Sequence, residues 1–196
     1  MYNLEEGKKA VIEAGHRLLE SGLIARTWGN VSARISDTQF VITPSGRAYD
    51  TLTPDDIVVV NIDDCSYEGD IKPSSEKGIH ADAYALRSDV NFVIHTHQIS
   101  ASVIGAAGLP IDPVPKAYRD LLGETVPCAG YGMPSTDKLR NAVKKEYADN
   151  PNCKAFLMVH HGAVCLGKDF DETFEIIQAL EKACEVKLEK AFLVYE

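Results

Sequence analysis

Two apolar runs that each close on histidines constrain this chain more than any other feature. They are Asn91-Phe92-Val93-Ile94-His95-Thr96-His97 and Ala155-Phe156-Leu157-Met158-Val159-His160-His161-Gly162. Short apolar runs rich in β-branched and aromatic residues read as buried strands. A buried strand needs a sheet around it and helices over that sheet. Ala163 to Leu166 continues the second run after a bend at His161-Gly162, so a strand pair is expected there. Gln39 to Thr43 and Ile57 to Ile62 are further strand-like runs, with a turn at Pro44-Ser45-Gly46.

Helical signals fall between these runs. Ala10, Val11, Ala14, Leu18 and Leu19 have helical spacing, and Gly22 follows as a stop. Pro73, then Ser74, Ser75 and Glu76, reads as a helix entry with hydroxyl caps and an acid in the first turn, running to Leu86. Ser100 to Ala107 and Ser135 to Tyr147 are two more helices. A last helix carries Phe174, Ile177, Leu180, Cys184, Leu188 and Ala191 on one stripe, capped by Asp169 with Glu172. Strands and helices mix without strict alternation. The expectation is one α/β domain over residues 1–196 with a central mixed, largely antiparallel sheet.

Charge narrows the function classes. The chain of 196 residues has 20 Lys and Arg against 29 Asp and Glu, a net charge of -9. That balance speaks against gripping nucleic acid or an anionic membrane, though local N–H groups can still bind a small anion. No apolar run approaches the roughly 20 residues that span a bilayer. The acidic start, Met1-Tyr2-Asn3-Leu4-Glu5-Glu6, does not resemble a signal peptide, so the cytoplasm is expected. Five widely spaced cysteines with no C-x-x-C read as free thiols.

The chemistry sits with the histidines. On a strand, His95 and His97 face the same side and can meet one ion. One of the pair His160-His161 can join them, since Gly162 permits a bend and adjacent strand residues face opposite ways. Three neutral imidazoles with an open position are a catalytic zinc arrangement. Glu76 is the candidate acid, as ligand, base or both; its other role would be to complement a helix N-terminus. His80, four residues on, would share its helix face; it reads as a packing histidine, with a ligand as the alternative, and His16 in the first helix reads as structural. Three turns suit an anion: Thr27-Trp28-Gly29-Asn30-Val31-Ser32, Thr43-Pro44-Ser45-Gly46 and Ser74-Ser75. With no G-x-x-x-x-G-K-[ST], a monophosphate fits better than a nucleotide.

Six segments in order resemble the class II aldolase/adducin-head family, to which L-fuculose-1-phosphate aldolase and L-ribulose-5-phosphate 4-epimerase belong. They are Gly29-Asn30-Val31-Ser32, Ile42-Thr43-Pro44-Ser45-Gly46, Pro73-Ser74-Ser75-Glu76, His95-Thr96-His97, Val126-Pro127-Cys128-Ala129 and His160-His161-Gly162. The resemblance spans about residues 5 to 190.

It implies a three-layer α/β/α fold and a zinc enzyme with one ion per subunit, a C4 homotetramer with active sites at its interfaces. His95, His97, His161 and Glu76 would ligate zinc, Glu76 also acting as acid and base. Gly29, Asn30, Ser45, Gly46, Ser74 and Ser75 would hold the substrate phosphate. The implied reaction is cleavage or formation of a sugar 1-phosphate, giving dihydroxyacetone phosphate and an aldehyde through a metal-stabilised enediolate. A pentulose-phosphate 4-epimerase or dehydratase is the alternative, and a non-catalytic interaction module the different-class one. Glu76 favours the aldolase branch, because the epimerase branch has Asp there. Lys116 stands where the aldolase pattern has a catalytic Tyr, with Tyr118 two residues on. The family's C-terminal tail, which carries another catalytic Tyr, is expected to be mostly missing here; Tyr195 is nearby, but no sequence signal places it in a site.

Overall fold

The computed structural model describes residues 1–24 and 28–192, so Thr27 and Tyr195 lie outside the described residues. In chain order the elements are α1 (Leu4–Glu20), β1 (Gly29–Arg34), β2 (Gln39–Ile42), β3 (Val58–Asn61), α2 (Lys77–Leu86) and β4 (Phe92–Thr96). Then come α3 (Ile99–Ala106), α4 (Arg119–Leu122), β5 (Cys128–Ala129), α5 (Asp137–Asp149), β6 (Ala155–Met158), β7 (Gly162–Gly167) and α6 (Phe170–Phe192). The strands form one sheet in the order β3-β2-β1-β4-β7-β6-β5. Every neighbouring pair is antiparallel except β5 with β6. The expected α/β class with a mixed, largely antiparallel sheet is therefore what the chain adopts.

Strand alternation builds the two covered faces. On β4, Phe92 and Ile94 join one core with Val31, Ala33, Leu157 and Cys165 from neighbouring strands, under α1, α3 and α6. Val93 joins the opposite core with Phe40, Ile42, Phe156 and Val164, under α2 and α5. By the period of two, His95 points to the α2 side. Phe92 and Phe156 are fully buried; truncating either to Ala would cost about 3–5 kcal/mol.

Local chemistry sets the helix ends. Asn3 accepts from the Glu6 N–H and the Glu6 side chain accepts from the Asn3 N–H, a reciprocal cap that starts α1. Asp169 Oδ1 accepts from the Glu172 N–H at 2.9 Å, as the sequence predicts for the last helix.

Three local expectations are corrected. The segment at Gly29 to Ser32 is not a turn but part of β1, a central strand. Its polar residues Asn30, Ser32 and Arg34 are buried. Glu76 does not sit in the first turn of α2 but at its N-cap, with its N–H donating to Ser74 Oγ at 3.2 Å. Its side chain makes no cap bond because it turns to the histidines. Ser135 lies outside α5, in a left-handed conformation with φ 62°, and Thr136 supplies the cap.

Candidate active site

β4 ends between two glycines that let its neighbours approach. Gly29 of β1 has φ 121°, and a Cβ there would lie 2.5 Å from the His95 carbonyl oxygen. Gly162 of β7 has φ 128°, and a Cβ there would lie 2.3 Å from the Thr96 carbonyl oxygen. Any side chain at either position would push the strands apart where the histidines emerge. His160, at φ 57°, forms the bend before β7. It is exposed beside Tyr131, whereas His161 is buried and packs against His95 with ring centroids 4.9 Å apart.

The imidazoles converge. His95 Nδ1 donates to the Ala163 carbonyl at 2.8 Å, so its Nε2 carries the lone pair toward the site. His97 Nε2 lies 3.0 Å from His95 Nε2. Glu76 bridges the group, with Oε2 3.2 Å from His95 Nε2 and Oε1 2.7 Å from His161 Nε2. That last contact lacks the alignment of a hydrogen bond, so the buried His161 nitrogen has no hydrogen-bond partner. Ligand atoms of His95, His97 and His161 all lie within 4.8 Å of one another and could hold a metal ion. An orphaned buried nitrogen, lone pairs aimed at one point and a carboxylate form a donor set that suits zinc.

Protonation states agree with that use. Burial pushes His95 below the ordinary imidazole range and His97 down to about 3, which leaves both neutral and free to ligate. Burial also favours neutral Glu76, but any proton shared with the facing His95 and His161, together with the Ser135 N–H, outweighs it and holds the carboxyl well below the usual range.

The cluster forms the floor of an open cleft of about 440 Å³. Six predicted phosphate contacts, Gly29, Asn30, Ser45, Gly46, Ser74 and Ser75, line it together. Backbone bonds from Ser45 N to Lys72 O at 2.9 Å and Ser74 N to Thr43 O at 3.0 Å clamp the two serine turns side by side. Both turns stand at the N-terminal end of α2, whose dipole favours an anion. A larger cleft of about 540 Å³ lies at the β3 edge beside Gln39, Asn61 and Tyr67, and no imidazole lines it.

Lys116 and Tyr118 are not brought to this cleft. They form a 3-10 turn packed by α6, on the opposite side of the sheet from α2. Equal-gap counting along the chain does not see which face a loop crosses. Ser135, in contrast, lines the cleft although no sequence signal singles it out. Its N–H donates to Glu76 Oε1 at 3.4 Å and its hydroxyl lies 2.6 Å from Ser75 Oγ. Trp28 lines the same cleft, 54% exposed, with its ring 6.2 Å from that of His97.

A carboxylate and three imidazoles beneath two hydroxyl turns, on a covered mixed sheet, define a metal-compatible α/β enzyme. The chain belongs to the class II aldolase and adducin N-terminal domain family, whose model matches residues 9–188. It is an enzyme of the class II aldolase type. It is similar to a 5-deoxy-D-ribulose 1-phosphate aldolase of Bacillus thuringiensis serovar kurstaki, 29% identical over 184 residues, 93% of this chain and 84% of that one. An L-fuculose 1-phosphate aldolase structure superposes with a TM-score of 0.85 at 27% identity, covering 94% of this chain and 86% of that one. The L-fuculose-1-phosphate aldolase of Thermus thermophilus shares the fold, with a TM-score of 0.79 at 24% identity over 94% of both chains.

Proposed function

We propose that this protein is a zinc-dependent aldolase that cleaves a ketose 1-phosphate of the fuculose-1-phosphate type to dihydroxyacetone phosphate and an aldehyde, and runs the reverse reaction. One observation carries the reading: the Glu76 carboxylate converges with three imidazoles at the floor of a cleft walled by two serine turns. The names of the relatives, both ketose 1-phosphate aldolases, support the substrate class.

His95, His97, His161 and resting Glu76 hold the ion, which when bound supplies Lewis-acid polarisation of a ketone. Gly29, Asn30, Ser45, Gly46, Ser74 and Ser75 hold the phosphate, and that remote binding places the reacting carbons over Glu76. In cleavage, the C3–C4 bond breaks, its electron pair stays on C3, and the C4 hydroxyl proton passes through water to the Glu76 carboxylate as the aldehyde forms. Glu76 delivers a proton to C3, and in synthesis it takes that proton back.

The reading includes a cytoplasmic homotetramer. It is supported by Ile99 and Val103 of α3, which stand 76% and 50% exposed on one helix face. Lys116 and Tyr118 then reach an active site only from a neighbouring subunit. Light scattering on the purified protein checks the assembly.

The test is release of dihydroxyacetone phosphate from L-fuculose 1-phosphate and from 5-deoxy-D-ribulose 1-phosphate by metal-quantified protein. Zinc-dependent release from at least one is expected. No release from either, with zinc bound, overturns the proposal.

A further inference from the structure

Behind Glu76 a line of buried polar groups runs away from the cleft under α2. Tyr84 Oη lies 2.7 Å from Ser32 Oγ, and Ser32 Oγ lies 2.6 Å from His80 Nδ1. His80 Nε2 is hydrogen-bonded to Asn30 Oδ1, and Asn30 Nδ2 lies 3.5 Å from Glu76 Oε2. All five side chains are buried, Ser32 and His80 completely.

The polarity of this line follows from one end. An ionised carboxylate only accepts, so the Asn30 atom facing Glu76 is the NH2 group. Asn30 Oδ1 then faces His80, and His80 Nε2 must carry a proton to donate. His80 Nδ1 is left with the lone pair and accepts from the Ser32 hydroxyl. Ser32 Oγ in turn accepts from the Tyr84 hydroxyl. The reverse polarity would set Asn30 Oδ1 against the Glu76 carboxylate.

We propose that His80 is a positioning residue: as the Nε2–H tautomer it locks the Asn30 amide with its NH2 turned to Glu76 and the cleft. The proposal deepens the aldolase reading, because it rests on Glu76 as the proton-transfer group. One amide hydrogen steadies the carboxylate, and the second is available to a ligand in the cleft that Asn30 lines. Burial pushes His80 down to about 3, so the relay keeps one polarity through the neutral range. Without the His80 donor, only the long 3.5 Å contact with Glu76 opposes rotation of the amide.

The test uses the full-length, zinc-loaded protein with nitrogen-15-labelled histidine. Long-range proton–nitrogen correlation spectra report each tautomer, and the His80 signals are those lost in His80→Gln. The expected result is an Nε2–H tautomer unchanged between about pH 5 and about pH 9. An Nδ1–H tautomer, or titration to imidazolium in that window, overturns the proposal.

Turnover gives the second arm. His80→Leu should lower kcat by about tenfold, the size of a lost hydrogen bond near a charge, with zinc still stoichiometric. His80→Gln, which offers an amide N–H in place of Nε2–H, should recover most of it. Full kcat in His80→Leu, or equal losses in both variants, overturns the positioning role. If His80→Leu does not fold, the tautomer in the unmodified chain decides. That readout needs no turnover, so it separates failure of this proposal from failure of the aldolase reading.

Discussion

Glu76 and Asp82 are both buried carboxylates, one at the N-cap of α2 and one within it, and the fold surrounds them in opposite ways. Asp82 meets permanent cations from α5: Arg140 Nε at 2.6 Å, Arg140 Nη2 at 2.9 Å and Lys144 Nζ at 3.1 Å. The hydrogen bonds to Asp82 raise the Arg140 pKa, and the group ties two helices together. Among the described residues no Lys or Arg pairs with Glu76; it faces imidazoles, the Asn30 amide and the Ser135 N–H. A buried carboxylate without a fixed cation is an expensive arrangement. It is sensible where a mobile cation and a transferable proton are wanted. The contrast separates a carboxylate that holds the fold from one set aside for chemistry.

The comparison breaks first at Glu76 itself. Glu76→Gln should cut turnover by roughly 10²–10⁴-fold while leaving thermal stability level or raised, as steady-state kinetics and a melting curve would show. A protein that melts early yet turns over normally would make Glu76 the structural acid. The mirror experiment is Asp82→Asn. It should destabilise by about 2 kcal/mol in denaturant titration and leave kcat per folded molecule unchanged. A loss of kcat without a loss of stability would erase the distinction.

Acid sensitivity sharpens the same contrast. His80 has its folded-state pKa lowered to about 3, from 6.5, mainly by burial. In that window the unfolded chain binds the extra proton, so stability is fully present above about pH 6.5 and falls as pH drops toward about 3. The slope should reach about 1.4 kcal/mol per pH unit for this histidine, and His80→Gln should flatten it. Equal slopes would mean the relay takes up protons without penalty. The smallest effect expected is at the cleft wall. Ser75→Ala should raise KM several-fold for phosphorylated ketoses, about 1 kcal/mol of binding, and leave unphosphorylated analogues alone. Equal changes for both would remove Ser75 from the phosphate site.

Much of this was legible along the chain, for physical reasons. α1 and α6 show because apolar stripes repeat at the helical period, and β4, β6 and β7 show because both their faces are buried. β1 hides because Asn30, Ser32 and Arg34 fill its α2-side face, where apolar residues would have announced a strand. Asn30 and Ser32 are also the residues that build the relay behind Glu76, so the local pattern fails where the molecule departs from an apolar core. Strand alternation says that one of His160 and His161 turns inward, and the left-handed backbone at His160 decides which. Ser135 could not be found, because its positive φ leaves no mark on residue type. Glu76 could be found as an acid beside cap residues, but not as the N-cap, since caps and active sites draw on the same side chains.

The central claim is that Glu76 moves a proton on a phosphorylated ketone beside a bound metal. Solvent deuterium exchange into the dihydroxyacetone phosphate methylene, with metal-quantified protein, tests it most directly. The account predicts exchange that a chelator abolishes and zinc restores, and that Glu76→Gln loses while its zinc content stays the same. Exchange at an equal rate in Glu76→Gln, or none in the zinc-loaded wild-type chain, would contradict it.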